Sequence, residues 1–189
     1  GRPLYELIIW LEYVLWGEDM RYFHLVGAFW HGTAALLLAA LCRRLGWPWG
    51  MSGASGLLFL FNVSHFRAVH WVSAQCYIAS FMILCGGLLV YLAWVEERRV
   101  WGQVAFYAAL LSGLLVHTAT IVLVPLAAAL AWSRQRPLTA AVKQLALPAA
   151  ISAAGVLGIR AYYADSPQVG QLSSSFELWG HVQGLLYMI

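Results

Sequence analysis

The sequence is short of charge. Only 10% of its 189 residues are charged, whereas 62% are hydrophobic. A soluble domain carries about 25% charged residues, so this chain has too little polar surface to face water on all sides. Its net charge of +3 is too small to indicate nucleic-acid binding. The composition therefore predicts an integral membrane protein whose main partner is the lipid bilayer.

Signatures of common enzymes are also missing. The sequence contains no serine-centred triad motif, no Gly-rich nucleotide loop and no HExxH zinc motif. Its three cysteines, Cys42, Cys76 and Cys85, have neither metal-ligand spacing nor an even count, and we interpret them as packing residues. No metal site is predicted and no cofactor is evident, although the sequence leaves a divalent metal or a bound pigment open.

What the sequence does contain is apolar runs of membrane-spanning length. We predict an all-α fold, a polytopic transmembrane helical bundle of about six spans in a single domain over residues 1–189. An amphipathic helix at 1–20, with aromatic and acidic residues interleaved, is expected to lie along the membrane interface. The spans are predicted at 22–41, 49–61, 74–94, 140–162 and, as two short helices meeting near His117, at 102–132. An outer loop at 163–178 and the start of a further helix at 179–189 follow, and we expect the chain to be a central piece of a longer protein.

The basic residues predict an orientation. If six crossings alternate, seven basic residues fall on one side and four on the other, which favours the first side as cytoplasmic. We therefore expect a bacterial inner-membrane protein with extracytoplasmic loops at 62–73 and 164–177. The first side holds Arg43, Arg44, Arg98, Arg99, Arg134, Arg136 and Lys143; the second holds Arg2, Arg21, Arg67 and Arg160.

Residues 62–73 form a polar and aromatic island between apolar runs. Within it, Arg67 offers the planar fork that suits phosphate, and His65 and His70 are placed to contact a lipid headgroup. An arginine at a membrane boundary also snorkels without any ligand. We give both interpretations, anion binding and snorkelling, equal weight.

Three further histidines interrupt apolar helices. His24 and His31 are seven residues apart, so they share a helix face about 10 Å apart. Each either ligates a separate pigment or haem, or hydrogen-bonds a neighbouring helix or interfacial water, which we favour. His117 lies in the middle of a long apolar run and is interpreted equally as a functional group lining a cavity or as a structural residue.

A series of spaced residues resembles a known family. The match covers residues 2–132 and consists of Arg2-Pro3-Leu4, Trp16-Gly17, Phe23-His24-Leu25, His31, Leu36-Leu37-Leu38, Arg43-Arg44, Phe59, His65, Ala68-Val69 and Trp71. This order resembles polytopic C-type (GT-C) glycosyltransferases, in particular the O-mannosyltransferase-like proteins that often carry tetratricopeptide repeats. The resemblance implies a GT-C-like bundle that transfers a sugar from a polyprenyl-phosphate carrier on the extracytoplasmic side.

The departures from the family pattern concern its polar positions. Arg67 stands where the family usually has a glutamate, and His117-Thr118 replaces a lysine-glutamate pair. The family's paired catalytic acids would lie before Arg2, and no acid of this chain occupies a family catalytic position. Two hypotheses follow: a transferase whose carrier lies near His65, Arg67, His70 and His117, or a catalytically inactive GT-C-derived structural subunit that contacts lipids, pigments or other subunits of a larger membrane complex.

Overall fold

The computed structural model describes residues 2–62, 65, 70–134 and 137–163, which are helical except for short turns. The all-α prediction is therefore confirmed for the described part of the chain. One compact unit extends to Ser152, and a second begins at Ala153, of which 153–163 are described as the end of the last helix. The helices are α1 (Pro3–Trp16), α2 (Met20–Arg44), α3 (Trp49–Leu60), α4 (Gln75–Glu97), α5 (Val100–Val116), α6 (Leu123–Ser133) and α7 (Leu138–Tyr163).

Within the described residues, three apolar segments are long enough to cross a membrane, namely Met20–Arg44, Val72–Glu97 and Thr139–Gly158. A crossing needs about 20 residues. Helices α3, α5 and α6 are shorter, so the expectation of six spans is met by length only in part. The long run at 102–132 is divided at His117, as the sequence predicts, and the loop and helix predicted beyond Tyr163 lie outside the described residues.

Helix α4 is the centre of the bundle. Its residues Tyr91 and Leu92 are almost fully buried in a cluster with Phe106 and Leu110 of α5 and Leu123 of α6. Lipid tails are as apolar as these side chains, so close packing rather than escape from solvent holds such helices together. Close packing requires small residues at the crossing points.

Helix α3 packs on α2 through two small residues, Ser52 and Gly56. Ser52 and Gly56 are both buried. A Cβ atom at Gly56 would lie 2.8 Å from the carbonyl oxygen of Ala35. The small side chains at this crossing therefore let the two helices approach closely.

One end of the bundle is closed by ion pairs. Arg44 contacts Glu96 at 3.3 Å and also Glu97, while Arg134 contacts Glu96 at 3.4 Å. Arg99 contacts Glu97 at 2.6 Å. The last turns of α2, α4 and α6 and the first turn of α5 therefore lie together, and we call this the ion-pair end.

The opposite end carries the first helix, and we call it the α1 end. The side chain of Gln75, at the start of α4, donates a hydrogen bond of 3.0 Å to the carbonyl of Phe23 in α2. The Tyr5 hydroxyl of α1 donates to the carbonyl of Val72, just before α4. Helix α5 runs from the ion-pair end to the α1 end, so its last residue, Val116, packs near Tyr5.

Candidate functional site

Arg2, which directly precedes α1, contacts residues at the start of α4. Arg2 Nη1 donates hydrogen bonds to the carbonyl of Ser73 at 3.1 Å and to Sγ of Cys76 at 2.8 Å. Its guanidinium carbon also lies 5.5 Å from the centre of the Tyr77 ring. These contacts join residues more than 70 positions apart, so Arg2 is fixed against the start of α4 by tertiary structure.

His117 reaches the same aromatic ring from another helix. It occupies an extended turn between α5 and α6, and its ring centre lies 4.8 Å from that of Tyr77. Its Nδ1 accepts a hydrogen bond of 3.1 Å from the backbone N–H of Ala119. Burial, together with the charge of Arg2, keeps the pKa of His117 below its usual value. The neutral ring therefore carries its proton on Nε2 and offers an N–H donor there.

Two more predicted site residues meet at the same end of the bundle. The rings of His24 in α2 and His70 before α4 have centres 5.7 Å apart. His24 directly follows Phe23, whose carbonyl receives the Gln75 hydrogen bond. The start of α4 thus contacts Arg2, Phe23 and, through Tyr77, His117.

His31 and His65 form a separate, deeper group. Their ring centres are 5.3 Å apart, and both contact Phe59 near the end of α3. His31 donates from Nε2 to the carbonyl of Leu60 at 3.0 Å, and His65 donates from Nδ1 to the carbonyl of Phe59 at 3.1 Å. His31 thus makes a hydrogen bond to a neighbouring helix, the role favoured from the sequence.

The structure therefore divides the sequence-predicted residues between two places. His24, His70 and His117 lie at the α1 end, whereas His31 and His65 lie about two turns deeper along α2. Arg67 lies outside the described residues. Sequence reasoning missed Arg2 and Tyr77 as site residues, because no local spacing signals a contact between α1 and α4.

The acidic residues of α1 differ in environment. Glu6 is exposed and accepts a hydrogen bond of 3.2 Å from the backbone N–H of Arg2. Glu12 is only 5% exposed, and its Oε2 has no hydrogen-bond partner. Burial raises the pKa of the Glu12 carboxyl. Glu6 is thus the carboxylate beside Arg2, while Glu12 lies about 15 Å from Arg2 along the helix axis.

The described residues contain no group of three or more His, Cys, Asp or Glu side chains placed to hold a metal ion. Cys42, Cys76 and Cys85 are buried and free. Comparison with known proteins found no matching family model, no matching curated protein and no matching solved structure.

Proposed function

We propose that the protein is a GT-C-like integral membrane transferase that binds the phosphate of a polyprenyl-phosphate sugar at the α1 end. The observation that carries this proposal is the convergence of Arg2 and His117 on the Tyr77 ring. A guanidinium and a nearby imidazole supply charge-assisted hydrogen bonds of the kind that recognise phosphate. The resemblance of residues 2–132 to GT-C transferases names the sugar carrier as the class of ligand.

The unused donors of both side chains support this assignment. Nη1 of Arg2 donates hydrogen bonds to Ser73 and Cys76, whereas Nε and Nη2 have no acceptor among the described residues. His117 accepts at Nδ1 and so has its Nε2 proton to donate. Donors held in this way stabilise the charge that develops on a phosphate as it leaves the sugar.

A transfer reaction also needs a base for the acceptor. We propose Glu6 for this role, because it is exposed and hydrogen-bonded to the backbone of Arg2. Glu12 is less suited, since it is buried about 15 Å along the axis from Arg2. In this scheme Arg2 and His117 hold the leaving phosphate while Glu6 accepts the proton of the incoming hydroxyl.

In the proposed topology, helices α2 to α7 make six alternating crossings of the bacterial inner membrane. The α1 end faces the extracytoplasmic side. Support comes from the arginines, because Arg44, Arg99 and Arg134 meet at the ion-pair end. Basic residues gather on the cytoplasmic side of membrane proteins. This arrangement places the phosphate site where GT-C transferases receive their sugar donor.

The test is binding of undecaprenyl phosphate to the full chain in lipid nanodiscs. Arg2→Gln should weaken binding about tenfold or more, because a hydrogen bond to a charged group contributes about 1.5–3 kcal/mol. Arg21→Gln is the matched control, since Arg21 also lies at this end but is exposed and paired with Asp19 at 2.7 Å. Equal binding by wild type and Arg2→Gln would rule out the proposed site.

A catalytically inactive structural subunit is the second candidate. The hydrogen bond of His31 to the carbonyl of Leu60 favours it, because this imidazole already holds α3 against α2. His65 is likewise engaged, since it donates to the carbonyl of Phe59 at the end of α3. A sugar-transfer assay separates the two. Glu6→Gln should abolish transfer while keeping carrier binding if the protein is an enzyme, whereas a structural subunit shows no transfer before or after the change.

A further inference from the structure

A cavity of about 340 Å³ lies at the ion-pair end, away from the proposed carrier site. This volume is within the range of small-molecule sites, about 300–1,000 Å³. Helices α4, α5 and α7 and the turn between α4 and α5 form its walls. Its lining residues are Trp94, Val95, Arg98, Val100, Gln103 and Gln144.

The polar side of this cavity is cationic and rich in amides. Arg98 contributes a guanidinium that has no ion pair or hydrogen bond within the described part of the chain, and Gln103 and Gln144 contribute carboxamides. The Oε1 atom of Gln144 is buried without a hydrogen-bond partner. The guanidinium and the amide N–H groups offer donors to an anion, whereas the buried oxygen of Gln144 needs an O–H or N–H donor such as a headgroup hydroxyl.

The neighbouring charges leave the positive charge of Arg98 uncompensated. The two acids nearest in sequence, Glu96 and Glu97, are engaged by Arg44, Arg134 and Arg99. Neither acid lines the cavity. The cavity therefore presents net positive charge to whatever enters it.

The position of the cavity indicates what enters it. Arg98 directly follows Val72–Glu97, one of the segments long enough to span a membrane, so its guanidinium lies at a membrane boundary. The valines Val95 and Val100 and the Trp94 side chain supply an apolar wall beside the polar one. We propose that this cavity binds the headgroup of an anionic phospholipid, with Arg98 on the phosphate and the two carboxamides on the polar oxygens around it.

The backbone at Arg98 permits a clean test. Its φ of 54° and ψ of 31° place it in the left-handed region, which glycine adopts without the steric cost that a Cβ imposes. Arg98→Gly thus removes the guanidinium while relieving backbone strain, so loss of folding is not expected. Arg98→Gln is the second variant, because it removes the charge but keeps a polar side chain.

Arg43→Gln is the matched control. Arg43 lies at the same end, stacks on Trp49 at 4.9 Å and does not line the cavity. The experiment is native mass spectrometry of the full chain in detergent, titrated with phosphatidylglycerol, with phosphatidylcholine, or with glycerol 1-phosphate. The last probe separates a lipid headgroup from a soluble phosphate.

The wild type should bind phosphatidylglycerol more tightly than phosphatidylcholine. Both Arg98 variants should lose about fivefold in affinity for phosphatidylglycerol but not for phosphatidylcholine, because one basic residue at a lipid surface contributes about this much. Arg43→Gln should match the wild type. Equal losses in Arg43→Gln and the Arg98 variants, or no loss in the latter, would overturn the site. Binding of glycerol 1-phosphate as tight as that of the lipid would overturn its assignment to a phospholipid.

Discussion

At the scale of single residues, α1 is unusual because its inward face buries an acidic residue while several of its apolar residues are exposed. Leu7, Trp10 and Val14 are about half exposed or more, whereas the carboxyl of Glu12 is buried on the same face as Tyr5. A helix at a membrane surface exposes apolar side chains to lipid without penalty. The buried acid is the costly part, because its Oε2 has no hydrogen-bond partner.

We expect Glu12→Gln to stabilise the protein at neutral and higher pH. Burial raises the pKa of Glu12 in the folded state above its unfolded value, so the folded state keeps the proton longer. Stability is therefore greatest below the unfolded pKa and falls as pH rises through the folded pKa. The melting temperature of the wild type should therefore fall more with rising pH than that of Glu12→Gln.

Glu6→Gln, which replaces an exposed carboxylate of the same helix, is the matched control for this measurement. Identical pH profiles for the wild type and Glu12→Gln would contradict a buried, uncompensated carboxyl.

The sequence predicts the type of such residues but not their partners. His117 stands out as a polar interruption of an apolar run, and the structure turns the chain there. That His117 shares Tyr77 with Arg2 follows only from how α1, α4 and α5 pack. Likewise, the acids of α1 look alike in sequence, and the bundle alone decides that Glu12 faces inward.

At the scale of helices, glycine positions set how closely neighbours approach. A Cβ atom at Gly102 would lie 2.7 Å from the backbone nitrogen of Trp94, so α5 crosses α4 almost backbone to backbone. By contrast, a Cβ at Gly53 would have no atom within 4 Å. The two glycines therefore have opposite consequences when they are replaced.

Gly102→Ala should destabilise the protein by about 1–3 kcal/mol, since the clash is with backbone that has no rotamer to yield. Gly53→Ala should be neutral or stabilise by about 0.5–1 kcal/mol, the helix-propensity gain over glycine. Thermal melting of both variants in one detergent provides the comparison. Equal stability of the two variants would show that α4 and α5 do not cross as closely as described.

Helix positions were the most predictable feature of the fold. The segments predicted at 22–41, 49–61 and 74–94 correspond to the helices Met20–Arg44, Trp49–Leu60 and Gln75–Glu97. The agreement arises because hydropathy alone identifies apolar helical segments. The differences fall at charged ends. Helices α2 and α4 continue to Arg44 and Glu97 since these residues pair with each other across the bundle, which no local pattern reveals.

At the scale of the whole molecule, the bundle has two chemically distinct ends. The ion-pair end joins α2, α4 and α6 through Arg44, Glu96 and Arg134. The α1 end gathers Arg2 and His117. The sequence predicts the grouping of basic turns from alternating crossings, but only the structure brings their ion pairs together.

We propose that these two ends face opposite sides of a membrane, with the proposed phosphate site on the extracytoplasmic side. The most direct test of this topology is labelling of single-cysteine variants with a membrane-impermeant maleimide in intact bacterial cells. The three native cysteines are buried and are first replaced by alanine. Ala119→Cys reports the α1 end beside His117, and Trp101→Cys reports the ion-pair end, since both positions are exposed. We expect labelling of Ala119→Cys in intact cells and of Trp101→Cys only after the cells are opened. Labelling of both positions from one side would contradict the proposed topology.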